Sequence, residues 1–282
     1  MFMYCDLHFH TYFSSDGNCV PEEVIPLMVE SGCKGFSCTD HNSLEAIPFF
    51  LEHAESNGLE FIPGVEIDTK HPTFGDLHLL AYNFDLYDKG LNEILEAVRN
   101  LSNQSYQFVL DTLIADGLIP DRSSFEEFAK SSWPRRSIGY KQIHHYLIQY
   151  GVANDMSEAK SIFEVRRANC GYSNNYFHPG VVIQTVKAAG GVCVLAHPAA
   201  SVTDDLEMLI DEMILLGMVG VEAYTPGNLS MENIRQVEKI GKSRGVILTG
   251  GSDYHGSSSI SKWPSEAPYS CFQALLEAME LY

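Results

Sequence analysis

The chain has 282 residues and a net charge of −19, from 37 acidic and 18 basic side chains. So acidic a surface repels phosphate backbones, which argues against a long nucleic-acid groove but leaves room for a small phosphorylated ligand bound through metals and a few local cations. Length and apolar content fit one large α/β domain, or one domain carrying an inserted subdomain.

Seven apolar runs read as strands: about 2–7, 35–39, 61–66, 77–82, 192–196, 219–224 and 246–250. Helical stretches separate many of them. Pro21 to Ser31 has Val24, Ile25, Leu27 and Met28 on or near one face, and Gly32 stops it. Ser43 is placed to cap the next helix, which ends near Gly58, with Pro48 kinking it or marking a late start. Val181 to Ala189, Thr203 to Leu216 and Ser230 to Arg244 are further helices, each followed by glycine. Alternation of this kind implies a mainly parallel sheet, and polar residues at strand ends from both termini make a closed or nearly closed barrel the economical arrangement.

Residues 84–178 break the rhythm. Asp88 to Ala115, Ser123 to Lys130, Tyr140 to Gln149 and Asp155 to Ala168 read as helices, the last with Asp155 and Glu158 at capping-box spacing. The expected division is a barrel from 1–83 and 179–282, with 84–178 a helical insertion covering its mouth. The insertion carries Arg135, Arg136, Lys141, Arg166 and Arg167, a local positive charge in an acidic protein.

Seven cysteines, an odd number without a C-x-x-C pair, lie mostly in apolar runs and read as reduced core residues. No stretch reaches the ~18 apolar residues of a membrane span, and the N-terminus lacks a basic n-region. The expectation is a cytoplasmic protein with no membrane partner.

The polar residues at the strand ends carry the chemistry. His8 and His10 alternate across a strand, so both imidazoles share one face and can bind one metal; two exposed histidines would have the same spacing. Asp16-Gly17 reads as a turn or as a ligand, and Asp40-His41 as a helix cap or as a ligand His41 with Asp40 orienting a histidine behind it. Glu66 ends an apolar run, where a carboxylate must be paired, solvated or metal-bound. His78, His197 and the Asp253-Tyr254-His255 pair complete the set. His178, just before the barrel resumes, is a further candidate to face the site.

In order, His8-x-His10, Ser15-Asp16-Gly17, Thr39-Asp40-His41-Asn42, Gly64-Val65-Glu66, His78, Ala196-His197-Pro198 and Ser252-Asp253-Tyr254-His255-Gly256 resemble the motifs of the PHP (polymerase and histidinol phosphatase) superfamily. The placement of the insertion resembles the branch with nucleoside monophosphate and 3′,5′-bisphosphate phosphatases and a 5′→3′ exoribonuclease. The resemblance implies a distorted (β/α)7 barrel with two to three divalent metal ions. Carried over by motif, His8, His10, Glu66 and Asp253 hold the first metal; Glu66, His78 and His197 the second; Asp16, His41 and His255 the third. Mixed imidazole and carboxylate ligands suit Mn, Fe or Zn.

The function so implied is hydrolysis of a small phosphorylated substrate, a mononucleotide or 3′,5′-bisphosphate, by a metal-activated hydroxide, with Glu66, Asp253 and His197 assigned to catalysis. Arg135, Arg136, Lys141 and His178 are candidates for the substrate phosphate. Where some relatives carry an Arg-Pro-His-like segment, this chain reads Trp133-Pro134-Arg135-Arg136. The competing readings are a 5′→3′ exonuclease on short oligonucleotides, a histidinol-phosphate phosphatase, an amidohydrolase-type C–N hydrolase and a catalytically idle metal-binding module.

Overall fold

The computed structural model describes residues 3–132, 139–202, 205–256, 265 and 267–281. It divides into two compact units, Met1–Leu95 with Phe177–Tyr282 and Glu96–Tyr176. One boundary falls inside a long helix, α3 (Lys89–Ala115), rather than at residue 84.

The first unit contains two sheets. One has the order β3-β2-β1-β9, from β1 (Tyr4–Asp6), β2 (Cys33–Phe36), β3 (Glu60–Phe61) and β9 (Ala267–Pro268). The other has the order β4-β5-β6-β7-β8, from β4 (Gly64–His71), β5 (Gly75–Tyr82), β6 (Val192–Leu195), β7 (Gly220–Tyr224) and β8 (Ile247–Gly250). Isolated parallel bridges join Phe9 to Tyr254 and His41 to Glu66, one at each seam between the sheets. The described ladders thus form two sheets bridged twice.

The sheet is also less parallel than the alternation of elements implies. β4 and β5 pair antiparallel, as do β5 and β6. Only Pro72 to Phe74 separate β4 from β5, too short for the crossover that parallel strands require. The expected strand 61–66 is split at Ile62-Pro63, because proline brings no N–H to a ladder.

Helices cover the sheets as their apolar spacing dictates. α1 (Pro21–Ser31) buries Val24, Ile25 and Met28 against Phe9, Phe36 and Phe50, while Leu27 stays exposed. It ends at Gly32, whose φ of 78° is the left-handed turn that favours glycine. α2 (Ile47–His53) starts late, with Pro48 in its first turn, where a missing N–H costs nothing. The sequence reading places no element after residue 250, yet α11 (Tyr269–Glu280) sets Phe272 and Leu275 into the core around Leu7, Leu80 and Val194.

The second unit packs α3 with α4 (Arg122–Ser132), α5 (Tyr140–Gln149) and α6 (Met156–Arg167) around Leu110, Leu113, Phe125, Ile143, Tyr146 and Phe163. Asp155 caps α6 by accepting from the Glu158 backbone at 2.9 Å, while the Glu158 carboxylate turns back to the Asn154 N–H rather than to that of Asp155. Of the seven cysteines, all free, only Cys170 is not buried. No described helix is long and apolar enough to cross a membrane.

Candidate metal centre

Strand ends and the turns after them deliver the polar side chains. β1 runs into His8 and His10, both buried. β8 runs through Gly250-Gly251-Ser252 into Asp253, and a Cβ on Gly251 would lie 2.4 Å from His8 Cβ, so only glycine lets the two strand ends approach this closely. The Asp6 carboxylate, fully buried, accepts from Ser252 N at 2.9 Å and from Ser265 N at 2.9 Å and so fixes the Asp253 turn to β1. Burial pushes the Asp6 carboxyl up to about 6. His197 follows β6 with φ 23°, and Asp253 has φ 50°. Strained backbone in non-glycine residues tends to gather at functional sites.

The donor atoms collect into four overlapping groups: His8, His10, Glu66 and Asp253; Glu66, His78 and His197; His10, Asp16, His41 and His255; and His41, Asp68 and His78. The first two match the sets implied by motif. The third adds His10 to the expected Asp16, His41 and His255. The fourth brings in Asp68, which the motifs do not include.

In the first group His8 Nε2 lies 3.2 Å from His10 Nε2, 3.1 Å from Glu66 Oε2 and 3.4 Å from Asp253 Oδ1. His10 Nε2 lies 3.2 Å from Glu66 Oε2 and 3.3 Å from Asp253 Oδ1. A tetrahedral cation with arms of about 2.0–2.1 Å holds its donors roughly 3.3 Å apart, so these atoms fit the edges of such a polyhedron. Glu66 Oε1 faces the second group, 2.9 Å from His78 Nδ1 and 3.1 Å from His197 Nε2. Among the described residues His78 Nδ1 is buried without an aligned hydrogen bond and faces the Glu66 carboxylate, an arrangement that suits a cation held between them. In the third group Asp16 Oδ2 lies 2.8 Å from His255 Nε2 and 3.9 Å from His41 Nε2.

Electrostatics tell the same story. Burial would drive Glu66 up, but the His41, His8 and His78 imidazoles outweigh it and hold its carboxyl well below the usual range. Burial likewise opposes charge on His8 and His41, and the carboxylates around each overcome it, so both imidazoles rise well above their ordinary value. Burial pulls His255 down. Among the described residues, the ion pairs of Glu66, Asp68 and Asp253 all run to imidazoles. Buried carboxylates without strong cations are costly, and divalent ions would replace the protons that now balance them.

Behind the donors stand groups that orient them. Glu222, fully buried on β7, meets His8 Nδ1 at 3.0 Å through Oε1 and accepts from His197 N at 3.0 Å through Oε2. Ser14 Oγ lies 3.2 Å from His10 Nδ1 and donates to Asp16 Oδ1 at 2.6 Å. The sequence reading names neither Glu222 nor Asp68. Each is a carboxylate on an apolar strand, as Glu66 is, and Glu66-x-Asp68 repeats the i, i+2 spacing of His8 and His10. Asp40, expected to orient a histidine, instead accepts from Thr11 N at 2.5 Å and Thr11 Oγ1 at 2.7 Å. It fixes the backbone after His10, because the chain turns at Thr11 and brings two donors to it before any imidazole.

His178 caps α7 (Pro179–Ala188), its Nδ1 accepting from Gly180 N at 3.1 Å, and its ring packs beside His71. Lys141 lies on α5 in the second unit. Arg135 and Arg136 lie outside the described residues.

The fold and the buried donor groups define a class of metal-dependent hydrolase. Residues 6–127 match the PHP domain family. The chain is 24% identical, over 89% of its length and 94% of the relative's, to phosphoribosyl 1,2-cyclic phosphate 1,2-diphosphodiesterase of Eggerthella lenta. It is 25% identical to a 5′-3′ exoribonuclease of Haemophilus influenzae over 68% of each chain. Two solved structures share the fold. One is of a protein from Bifidobacterium adolescentis assigned as a metal-dependent phosphoesterase (TM-score 0.80, 24% identity, 96% of this chain and 95% of that one). The other is of a protein from Chromobacterium violaceum called an amidohydrolase, with bound sulfate (TM-score 0.82, 23% identity, 98% and 96%).

Proposed function

We propose that this chain hydrolyses a small phosphorylated substrate, a mononucleotide or a 3′,5′-bisphosphate nucleotide, at a two- to three-metal centre held by His8, His10, Asp16, His41, Glu66, His78, His197, Asp253 and His255. The observation that carries this reading is Glu66, whose two oxygens face two different donor groups, so one carboxylate can bridge two cations. When bound, such a pair of ions supplies a hydroxide nucleophile at neutral pH and neutralises charge on the phosphoryl oxygens.

The side chains set where that chemistry happens. Asp253 and His78 are the more open donors, 22% and 32% exposed against 1% for Glu66, so the substrate phosphate approaches from their side. Glu222 and Asp68 hold the imidazoles behind the donors and keep their metal-facing nitrogens free of protons. Arg135, Arg136 and Lys141 supply positive charge for the remaining phosphate oxygens.

A second reading, a small cyclic phosphodiester as substrate, is favoured by the Eggerthella lenta relative, which aligns along nearly its whole length. Both are tested by measuring phosphate release and ring opening, with added Mn²⁺, on AMP, adenosine 3′,5′-bisphosphate, a ribose 1,2-cyclic phosphate, histidinol phosphate and a short 5′-phosphorylated RNA. Turnover of the nucleotides above the rest supports the first reading. Preference for the cyclic diester or the RNA contradicts it.

A further inference from the structure

His41 and His78 sit in different candidate metal groups, yet the same carboxylate stands near both. Asp68 Oδ1 lies 2.8 Å from His41 Nδ1 and 3.6 Å from His78 Nε2. These are the ring nitrogens that face away from the other donors: His41 Nε2 points to Asp16 and Glu66, and His78 Nδ1 to Glu66. Strand geometry produces the arrangement. Asp68 is two residues past Glu66 on β4 and shares its face. The antiparallel register sets it opposite His78, and the bridge from His41 to Glu66 brings the third group alongside.

Asp68 is itself clamped at two points. Its Oδ2 accepts from Asn42 Nδ2 at 2.9 Å, and its backbone N–H donates to Asn42 Oδ1 at 3.2 Å. Asn42 takes a left-handed conformation, φ 54°, and its N–H donates to Glu66 O at 2.8 Å. Among the described residues neither His41 Nδ1 nor Asp68 Oδ1 makes an aligned hydrogen bond, so the two imidazoles are the polar neighbours of Asp68 Oδ1.

We propose that Asp68 is a positioning residue shared by the second and third metal sites, making their occupancy interdependent. The proposal rests on the metal-binding reading above. If His78 Nδ1 held a cation, its Nε2–H would be more acidic and drawn toward Asp68 Oδ1, now 3.6 Å away; if His41 Nε2 held one, the Nδ1–H would donate more strongly to the same oxygen at 2.8 Å. The carboxylate, held by Asn42 through Oδ2, would then serve both imidazoles through Oδ1, so that ordering it for one site orders it for the other.

The test is titration of Mn²⁺ into metal-free protein, followed by calorimetry and by electron paramagnetic resonance of free Mn²⁺, for the natural chain and for Asp68→Asn. The natural chain is expected to bind more than one equivalent. In Asp68→Asn the site of His8, His10, Glu66 and Asp253 keeps its affinity, while the remaining binding weakens as a unit by about 10–100-fold. Asn42→Gly, which keeps the left-handed backbone but releases the clamp, should show the same pattern more weakly and guards against a misfolded Asp68→Asn. Loss of one equivalent alone would mean that Asp68 serves a single imidazole or an ion of its own, and unchanged binding in both variants would mean that it serves neither; either overturns the proposal. A natural chain that binds no Mn²⁺ overturns the metal reading itself, and this proposal with it.

Discussion

Glu66 and Glu222 divide the labour of the centre between front and back. Glu66 presents an oxygen to each of two donor groups, and its replacement by alanine leaves His8, His10, His78 and His197 without their shared carboxylate. Glu66→Ala is expected to abolish hydrolysis, even at saturating Mn²⁺, while circular dichroism stays native. Near-normal activity would remove Glu66 from its bridging role. Glu222 accepts from two sides, so Glu222→Gln would turn an amide N–H toward either His8 Nδ1 or His197 N. The expected result is a 10–100-fold loss of metal affinity, read by titration of metal-free protein. An affinity within twofold of the natural chain would make Glu222 a packing residue only.

At the level of elements, the centre depends on how closely β1 and β8 approach. The Cβ of Gly251→Ala would fall 2.4 Å from His8 Cβ and 2.5 Å from His8 N, and backbone cannot yield as a flexible side chain can. The substitution should destabilise the protein by about 1–3 kcal/mol, seen as a lower thermal midpoint, and should weaken metal binding at His8. A variant as stable as the natural chain would show that the strand ends are free to part. On α5, burial pushes His144 down to about 4, and its ring packs against Tyr140 and Phe163. The unfolded chain takes up a proton near pH 6.5, the folded one only near 4, so this contribution is complete above 6.5 and is lost as pH falls through that window. It amounts to at most about 3 kcal/mol. Urea midpoints of metal-free protein at pH 7.5 and 4.5 should fall further for the natural chain than for His144→Leu; equal falls would contradict the assignment. The strand-end donors were legible because H-x-H, Asp-x-His and a carboxylate after an apolar run each break a pattern at a predictable place. Glu222 and Asp68 were harder to read, since a carboxylate inside a strand looks the same whether it faces solvent or an imidazole. The β4–β5 hairpin was hidden because β4 runs on past Glu66 through Asp68, Thr69 and Lys70, beyond the apolar run that marked the strand. α11 had a helical spacing in Cys271, Phe272, Leu275 and Ala278, but it stands alone at the chain's end, outside the alternation that guided the reading.

For the whole molecule, the charge of −19 sets the scale of the substrate. A small phosphorylated compound meets the repulsion at one point and an oligonucleotide at many, so turnover should fall with the length of a 5′-phosphorylated RNA and the fall should lessen with added salt. Arg135→Ala, Arg136→Ala and Lys141→Ala are expected to raise the KM for AMP, with at least one of them rising by about tenfold, the loss of one charge-assisted contact. Unchanged kinetics in all three would remove the insertion from phosphate binding. The family resemblance covered the first unit, where chemistry imposes residue types on strand ends; the second unit, a helical core around Leu110, Phe125 and Tyr146, carries no such constraint and showed only its helices. The most direct test of metal-dependent phosphoester hydrolysis at these strand ends is to strip the protein of metal with a chelator and measure phosphate-ester hydrolysis across the substrate panel before and after Mn²⁺, Zn²⁺ or Fe²⁺ is restored. The expected result is no turnover without metal, restored turnover with at least one of these ions, and none with any of them in Glu66→Ala. Turnover that is indifferent to metal, or that survives in Glu66→Ala, would contradict it.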